Sequence, residues 1–229
     1  NLAIKFLRHD ADHEEAVLRW ALDGRVRLVT TSAGDPRRYV QRIRDAGVKV
    51  YHAVPSLEGA LKAEDAGVDG LVVEGGESGG IRGRDPVHAM VLLQAVRART
   101  ALPIVAAGGI VDGRGMAAAF ALGADAVAMG TRFVASAESP VHIAYKQAIV
   151  DARPDGTIAV PNGPTAISRV LRTPLAEQIA AGEVPLGPPA NLIQKLYVEG
   201  RLDEAVGSAG ETAGLIASIK TVRDIIDDT

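Results

Sequence analysis

The feature that most constrains this sequence is the segment 102–133, which has the pattern of two strands, each followed by a glycine turn. Residues 103–107 form a short apolar run, and residues 112–122 carry the apolar spacing of a helix before a second apolar run. The two turns are Gly108-Gly109-Ile110 and Gly130-Thr131-Arg132. Two strands joined by one helix pair in parallel, so their carboxyl ends lie at the same edge of a sheet. The sequence therefore predicts two glycine turns side by side.

Neighbouring glycine turns of this kind favour the binding of a phosphate group. Glycine adopts positive φ angles and lets the backbone approach a ligand closely, and clustered backbone N–H groups attract an anion. We predict that Gly108 and Gly109, together with Gly130 and Thr131, bind a phosphate, as the turns after the last two strands of βα barrels often do. The alternative is that these glycines serve only as tight turns between strand and helix.

The alternation of strand and helix runs through the first 150 residues. Strand-like runs begin near Val26, Val48, Gly70, Pro103 and Asp125, about 22 residues apart except for one longer loop, and a further run opens the chain. Strands that alternate with helices predict parallel pairing. Six parallel strands fit either an open doubly wound sheet or part of a barrel, and the paired glycine turns favour the barrel.

The predicted fold class is therefore α/β, a (β/α)8 TIM barrel of which residues 1–150 form about the last six βα units. We expect two more units, roughly 70 residues, before Asn1, because open sheet edges invite pairing with other chains. A homo-oligomer that supplies strands in trans is the alternative. Residues 151–229 are first rich in proline and glycine and then carry helical apolar spacing, which predicts a helical cover packed on the same domain.

Composition restricts the partners and the location of the protein. The 229 residues carry a formal net charge of -3 with acidic and basic residues interspersed, which argues against nucleic acid and anionic membranes as partners. No apolar run reaches the length of a membrane span, and the absence of cysteine excludes disulfides and thiolate metal sites. We expect a cytoplasmic protein that acts on a small molecule.

Few side chains offer acid–base or nucleophilic chemistry. Of the five histidines only His52 lies on a predicted strand, where it is a candidate base at the barrel mouth or, alternatively, a buried and hydrogen-bonded histidine. Glu74 and Glu77 are candidates for proton transfer or for accepting hydrogen bonds from loop amides. Ser32 and Ser78 have no adjacent base in the sequence. No residues have the spacing of metal ligands, so no metal is expected.

Several motifs resemble those of the nitronate monooxygenase family, also called 2-nitropropane dioxygenase-like proteins. In chain order they occupy residues 72–80, 106–110, 112–115, 129–133, 138–140 and 208–216. The resemblance covers nearly the whole chain. It implies a TIM-barrel oxidoreductase that binds FMN noncovalently, in agreement with the phosphate site expected from the glycine turns.

The resemblance also implies which residues contact the flavin. Gly108, Gly109, Gly130 and Thr131 would bind the FMN phosphate, and Gly79 and Gly80 would approach the cofactor through their backbone. The residues that end strands at the same mouth are assigned to the pocket as well: Thr31, Ser32 and Glu74. Lys5, near the end of the opening strand, is a further candidate beside the flavin, with a solvated or ion-paired lysine as the alternative.

One departure from the family pattern affects the expected reaction. In the well-characterised branch of the family the glycine pair is followed by a histidine that acts as a base on the nitroalkane, and here that position is Ile81, which cannot accept a proton. Two redox reactions stay open: oxidation of nitronates by O2, and reduction of an enoyl- or acyl-CoA-like substrate with NADH or NADPH as electron donor. A flavin-free enzyme with a phosphate ligand, such as a phosphosugar isomerase, and a non-catalytic remnant also fit the sequence.

Overall fold

The computed structural model describes residues 1–4, 11–187 and 193–229, and Lys5 lies outside the described residues. Six parallel strands form one sheet in chain order. They are β1 (Leu2–Ala3), β2 (Leu28–Ser32), β3 (Lys49–Val54), β4 (Gly70–Glu74), β6 (Ile104–Ala107) and β7 (Ala126–Ala128), while β5 (Gly80–Gly83) belongs to a second sheet. The predicted α/β class, with parallel pairing of successive strands, is confirmed.

Five helices connect these strands. They are α1 (Ala11–Ala21), α2 (Arg37–Asp45), α3 (Leu57–Asp65), α4 (Ala89–Arg97) and α5 (Gly113–Ala121). Two begin with a side-chain cap: Ser56 Oγ accepts a hydrogen bond from Gly59 N, and Asp112 accepts from the amides of Arg114 and Gly115. Such caps satisfy amides that the first turn leaves without a partner, so they fix where the chain turns from strand-end loop to helix.

The two faces of the parallel sheet differ in what covers them. Alternate strand residues such as Val50, Leu71 and Ile104 face the helices, where they form one buried cluster with Ile43 and Leu92. The residues between them in sequence point to the other face, because successive side chains of a strand alternate. This second face, which we call the inner face, lines the cavity described below.

The segment after residue 150 differs from its prediction. Strands β8 (Thr157–Pro161) and β9 (Ala166–Leu171) form an antiparallel hairpin, and β5 pairs with β9 to complete a three-stranded sheet. The predicted helical cover is therefore wrong for these residues. β-branched residues such as Ile158 and Ile167 flank Asn162-Gly163, and Gly163 has a φ of +77°. Runs of this kind on either side of Asn-Gly are typical of a hairpin.

Short helices make up the rest of the segment after β7. They are α6 (Thr131–Val134), α7 (Ile143–Val150), α8 (Pro174–Ala180), a π-helix (Ile193–Val198), a 3-10 helix (Glu211–Leu215) and α9 (Val222–Asp227). The apolar spacing predicts a helix over residues 202–206, but residues 202–204 form a turn and residues 205–206 have no regular structure. Tyr145, Leu171 and Leu196 share one buried cluster that includes residues on both sides of residue 150. Among the described residues, no helix combines the length and the apolar character needed to cross a membrane.

Candidate functional site

A cavity of about 730 Å³ opens on the inner face of the parallel sheet. Its floor is formed by side chains from neighbouring strands, including Tyr51, Val72 and Val105. Its rim is formed where the strands end, and most of the predicted site residues lie there: Ser32, Glu74, Gly79, Gly108, Gly109, Gly130 and Thr131. Ligand sites in proteins are commonly of this size and mixed character. The parallel sheet thus brings together residues that are up to 99 positions apart in the chain, from Ser32 to Thr131.

The two glycine turns leave part of the rim free of side chains. Gly108 and Gly109 have φ angles of +87° and +77°, which favour glycine. Gly130 has an ordinary helical φ of -91°, and a Cβ added there would find no heavy atom within 4 Å. Helix α6 starts directly after Gly130, and no side chain caps its first amides. Backbone N–H groups at this rim are therefore open to an anion of the size of phosphate.

Two glycines of the predicted site, Gly108 and Gly79, pack so closely against other parts of the chain that a Cβ would not fit. A Cβ on Gly108 would lie 2.5 Å from Ser78 Oγ and 3.0 Å from Gly75 O, and one on Gly79 would lie 2.8 Å from the backbone of Ala209. Gly80, at φ +92°, begins β5 and is not among the residues that line the cavity. The rim is therefore a layer of closely packed backbone.

The structure corrects two of the predicted assignments. Thr31 and His52 are adjacent in the register of β2 and β3, and both are buried on the side that faces the helices. Thr31 Oγ1 and His52 Nδ1 lie 2.8 Å apart, and burial lowers the pKa of His52. The assignment of Thr31 to the pocket and of His52 as a base at the mouth is therefore wrong. The alternative of a buried, hydrogen-bonded histidine is correct.

The two candidate carboxylates have different surroundings. The Glu77 carboxylate accepts from the amide of Ala89, at 3.0 Å for one oxygen and 3.1 Å for the other, and so caps α4. The Glu74 carboxylate ends β4 at the cavity, and burial raises its pKa, although Arg82 at 3.6 Å opposes this effect. Both glutamates line the cavity, but the Glu77 carboxylate also accepts from the backbone of α4.

Sequence reasoning missed Arg82 and Arg169, which hold the loop between β4 and β5. Arg82 donates to the carbonyls of Gly75 and Gly79, and Arg169 donates to that of Gly76 and pairs with Glu211 at 3.0 Å. The sequence does contain a signal for Arg82: it follows a run of glycines, and alternation along β5 places its side chain on the opposite face of the strand from that of Ile81. Arg169 depends on the unpredicted hairpin, so nothing near it in sequence indicated the contact.

Ile81 lies outside the inner-face cavity, in a second cavity next to it. This second cavity has a volume of about 540 Å³, and aliphatic residues such as Val170 and Val206 line it together with Ile81, which is 55% exposed. Tyr197 and Ser208 line both cavities. An aliphatic side chain therefore stands at the position where the resemblance implies a base.

The parallel βα units and the cavity at the carboxyl ends of their strands define a βα-barrel protein. The sequence profile described as nitronate monooxygenase matches residues 5–229. The chain belongs to this family, so the resemblance stated from the sequence motifs is confirmed.

Two curated relatives show how the family compares with this chain. One is the (3aS,4S,5R,7aS)-5-hydroxy-7a-methyl-1-oxo-octahydro-1H-indene-4-carboxyl-CoA dehydrogenase of Mycobacterium tuberculosis, 38% identical over 73% of this chain and 47% of that protein. The other is a nitronate monooxygenase of Pseudomonas aeruginosa, 37% identical over 67% of this chain and 44% of that protein. The chain spans about half the length of these relatives.

Solved structures support the barrel. The structure of FabK from Thermotoga maritima superposes with a TM-score of 0.86 at 42% identity, covering 93% of this chain and 70% of that one. The nitroalkane oxidase of Streptomyces ansochromogenes superposes with a TM-score of 0.82 at 29% identity, covering 95% of this chain and 67% of that one. The predicted (β/α)8 TIM-barrel class is confirmed, and the parallel sheet described above contributes six strands to it.

The structural role of His52 gives a prediction for stability. His52→Gln leaves Thr31 Oγ1 without its buried partner, so we expect the free energy of unfolding to fall by about 1–3 kcal/mol at neutral pH. Because the pKa of His52 is lower in the folded state than in the unfolded state, its contribution is present above about pH 6.5 and is lost as the pH falls through the folded pKa.

Urea unfolding followed by circular dichroism at pH 7.5 and pH 5.5 measures both effects. We expect the wild-type protein to lose more stability than His52→Gln between these two pH values. An equal loss in the two proteins, or an unchanged stability of the variant at pH 7.5, would contradict the assignment.

Proposed function

We propose that this protein is an FMN-dependent oxidoreductase whose cofactor binds in the inner-face cavity. The observation that carries the proposal is the pair of neighbouring turns at the rim: Gly109 has a positive φ, and Gly130 has open space where a side chain would lie. The phosphate would be held between the turn after β6, at Gly108 and Gly109, and the turn after β7, at Gly130 and Thr131. The family of the chain supports this proposal.

The rest of the cavity fits the remainder of a flavin mononucleotide. Its volume of about 730 Å³ lies within the range of cofactor sites, and Val72, Val105 and Met129 give it an apolar surface next to the phosphate turns. A flat aromatic ring gains free energy by covering such a surface, whereas the hydroxyl groups of a sugar phosphate would lose their hydrogen bonds to water there. The cavity therefore favours a flavin over the ligand of a phosphosugar isomerase.

When bound, the flavin would supply the two-electron redox chemistry, and the protein would supply binding and orientation. The family supports oxidation of nitronates by O2 as the reaction. The exposed side chain of Ile81 favours a second candidate, reduction of an enoyl- or acyl-CoA-like substrate with NADH or NADPH, because hydride transfer from a nicotinamide needs orientation but no base. The relative named as a carboxyl-CoA dehydrogenase supports a substrate of this second class.

Gly130 offers a clean test of the phosphate site. Its helical φ and the open space at the position of a Cβ allow an added side chain without backbone strain, but a valine side chain would occupy the space proposed for the phosphate. We expect Gly130→Val to raise the dissociation constant of FMN at least about tenfold, since charge-assisted hydrogen bonds would be lost. Quenching of flavin fluorescence during titration with protein gives this constant.

Gly83→Val is the matched control, because Gly83 also has open space around it and lies outside the cavity. We expect it to bind FMN as the wild type does, with both variants melting at similar temperatures. Equal affinity of Gly130→Val and the wild type would defeat the phosphate assignment. A wild-type protein that binds no FMN would defeat the flavoprotein proposal and favour the flavin-free enzyme.

The side chain of residue 81 gives a prediction for the redox partner. A base at the reacting carbon contributes roughly 10²- to 10⁴-fold to removal of a proton, and Ile81 supplies none. We therefore expect NADH or NADPH to reduce the bound flavin faster than neutral nitroethane does, as followed by bleaching of flavin absorbance in anaerobic stopped flow.

Ile81→His should raise the rate with neutral nitroethane, while Ile226→His, which changes an exposed isoleucine away from both cavities, should not. Rapid reduction of the wild-type protein by nitroethane, with no reduction by either nicotinamide, would rule out the reductase and support the nitronate reaction with another base.

A further inference from the structure

Arg82 ties together the two ends of the loop that forms one wall of the inner-face cavity. Its side chain is 3% exposed. Nη1 donates to Gly75 O and Nη2 donates to Gly79 O, each at 2.9 Å. Hydrogen bonds from a charged donor are stronger than neutral ones, and the planar guanidinium fixes the relative position of its two acceptors. The span of the loop 75–79 is thereby set by one side chain.

This loop is in direct contact with the turn at Gly108 and Gly109, the first of the two turns proposed to bind the phosphate. Glu77, Ser78 and Gly79 line the cavity, while Ser78 Oγ and Gly75 O occupy the space beside Gly108. A displacement of the loop by a few tenths of an ångström would therefore change the packing against Gly108. Because closely packed backbone transmits such shifts, Arg82 acts on the turn without being among the residues that line the cavity.

Arg82 also lies next to the carboxylate that faces the cavity. Nη2 is 3.6 Å from Glu74 Oε1, and the Arg82 cation opposes the increase in the pKa of Glu74 that burial causes. Ser78 from the loop also hydrogen-bonds Glu74. The other charged groups that act on Arg82 come from the loop, from β9 and from the 3-10 helix: Glu77, Arg169 and Glu211.

We propose that Arg82 is a positioning residue of the flavin site, which holds the loop 75–79 and the Glu74 carboxylate in place and so controls the affinity for FMN and the charge of the cavity wall. This inference rests on the proposed binding of FMN. It assigns two separable effects to one side chain. The two hydrogen bonds of the guanidinium fix the conformation of the loop, and its positive charge favours the ionised form of the Glu74 carboxylate.

Two substitutions separate these effects. Arg82→Lys keeps the positive charge but loses the two-pronged contact, whereas Arg82→Met loses both. We expect both variants to raise the dissociation constant of FMN about tenfold, because the two loop carbonyls lose their fixed partner. Fluorescence quenching by the folded protein, with folding checked by circular dichroism, provides the measurement.

Arg97→Met is the matched control, because Arg97 is also an arginine that bridges two backbone carbonyls. It donates to the carbonyls of Thr100 and Leu102 and lies 3.7 Å from Asp125. These groups precede β6 and β7, at the opposite end of the sheet from the cavity rim. We expect this variant to lose stability but to bind FMN with wild-type affinity.

The charge is tested by the absorbance of bound FMN as a function of pH, because a change of charge in the wall of the cavity would shift the spectrum of a flavin bound there. We expect one transition in the wild type, at a pH above the ordinary range of a glutamate because burial raises the pKa of Glu74, and none in Glu74→Gln. Removal of the cation raises the pKa of Glu74, so the transition moves to higher pH in Arg82→Met. It stays at the wild-type pH in Arg82→Lys.

The possible outcomes distinguish a failure of the proposed role of Arg82 from a failure of the proposed binding of FMN. Wild-type affinity in both Arg82 variants, or a transition that Glu74→Gln does not remove, would overturn the role of Arg82 while leaving FMN binding intact. Absence of FMN binding in the wild type would instead overturn the proposed function. If Arg82→Met does not fold, the affinity of Arg82→Lys and the spectrum of Glu74→Gln still decide the matter.

Discussion

Parallel pairing of the strands is the constraint on which the rest of this structure depends. It places the turns after β4, β6 and β7 at one edge of the sheet, so that loops far apart in the chain form a single rim. It also divides the strand residues into two sets, one buried beneath the helices and one facing the cavity. The site is therefore built from backbone turns, with side chains below them.

Close contact between these turns explains why the rim is rich in glycine. Gly79 packs against Ala209, and Gly108 packs against Ser78, with distances that leave no room for a Cβ. Gly130 differs, because the space beside it is open. The glycines thus have two physical roles. At Gly79 and Gly108 other parts of the chain occupy the space where a side chain would lie, and at Gly130 we propose that a ligand occupies it. Arg82 donates to both ends of the loop 75–79, which packs on the turn at Gly108.

The parts of the fold that depend on local sequence could be predicted, and those that depend on distant contacts could not. The six strands and the helices between them follow from apolar periodicity, and the cap at Ser56 follows from residue type. The hairpin around Gly163 escapes prediction, because the many prolines and glycines there indicate a loop although β-branched residues flank them. The face on which His52 lies depends on strand register, which the sequence alone leaves open.

The central claim is that the rim between the turns at Gly109 and Gly130 binds the phosphate of FMN. A crystal structure of the protein grown with FMN tests it most directly. We expect phosphate oxygens within about 3.2 Å of backbone nitrogens in both turns, with the flavin ring over the apolar surface of the inner-face cavity. A phosphate bound away from these turns, or a cavity that contains no flavin at saturating FMN, would contradict it.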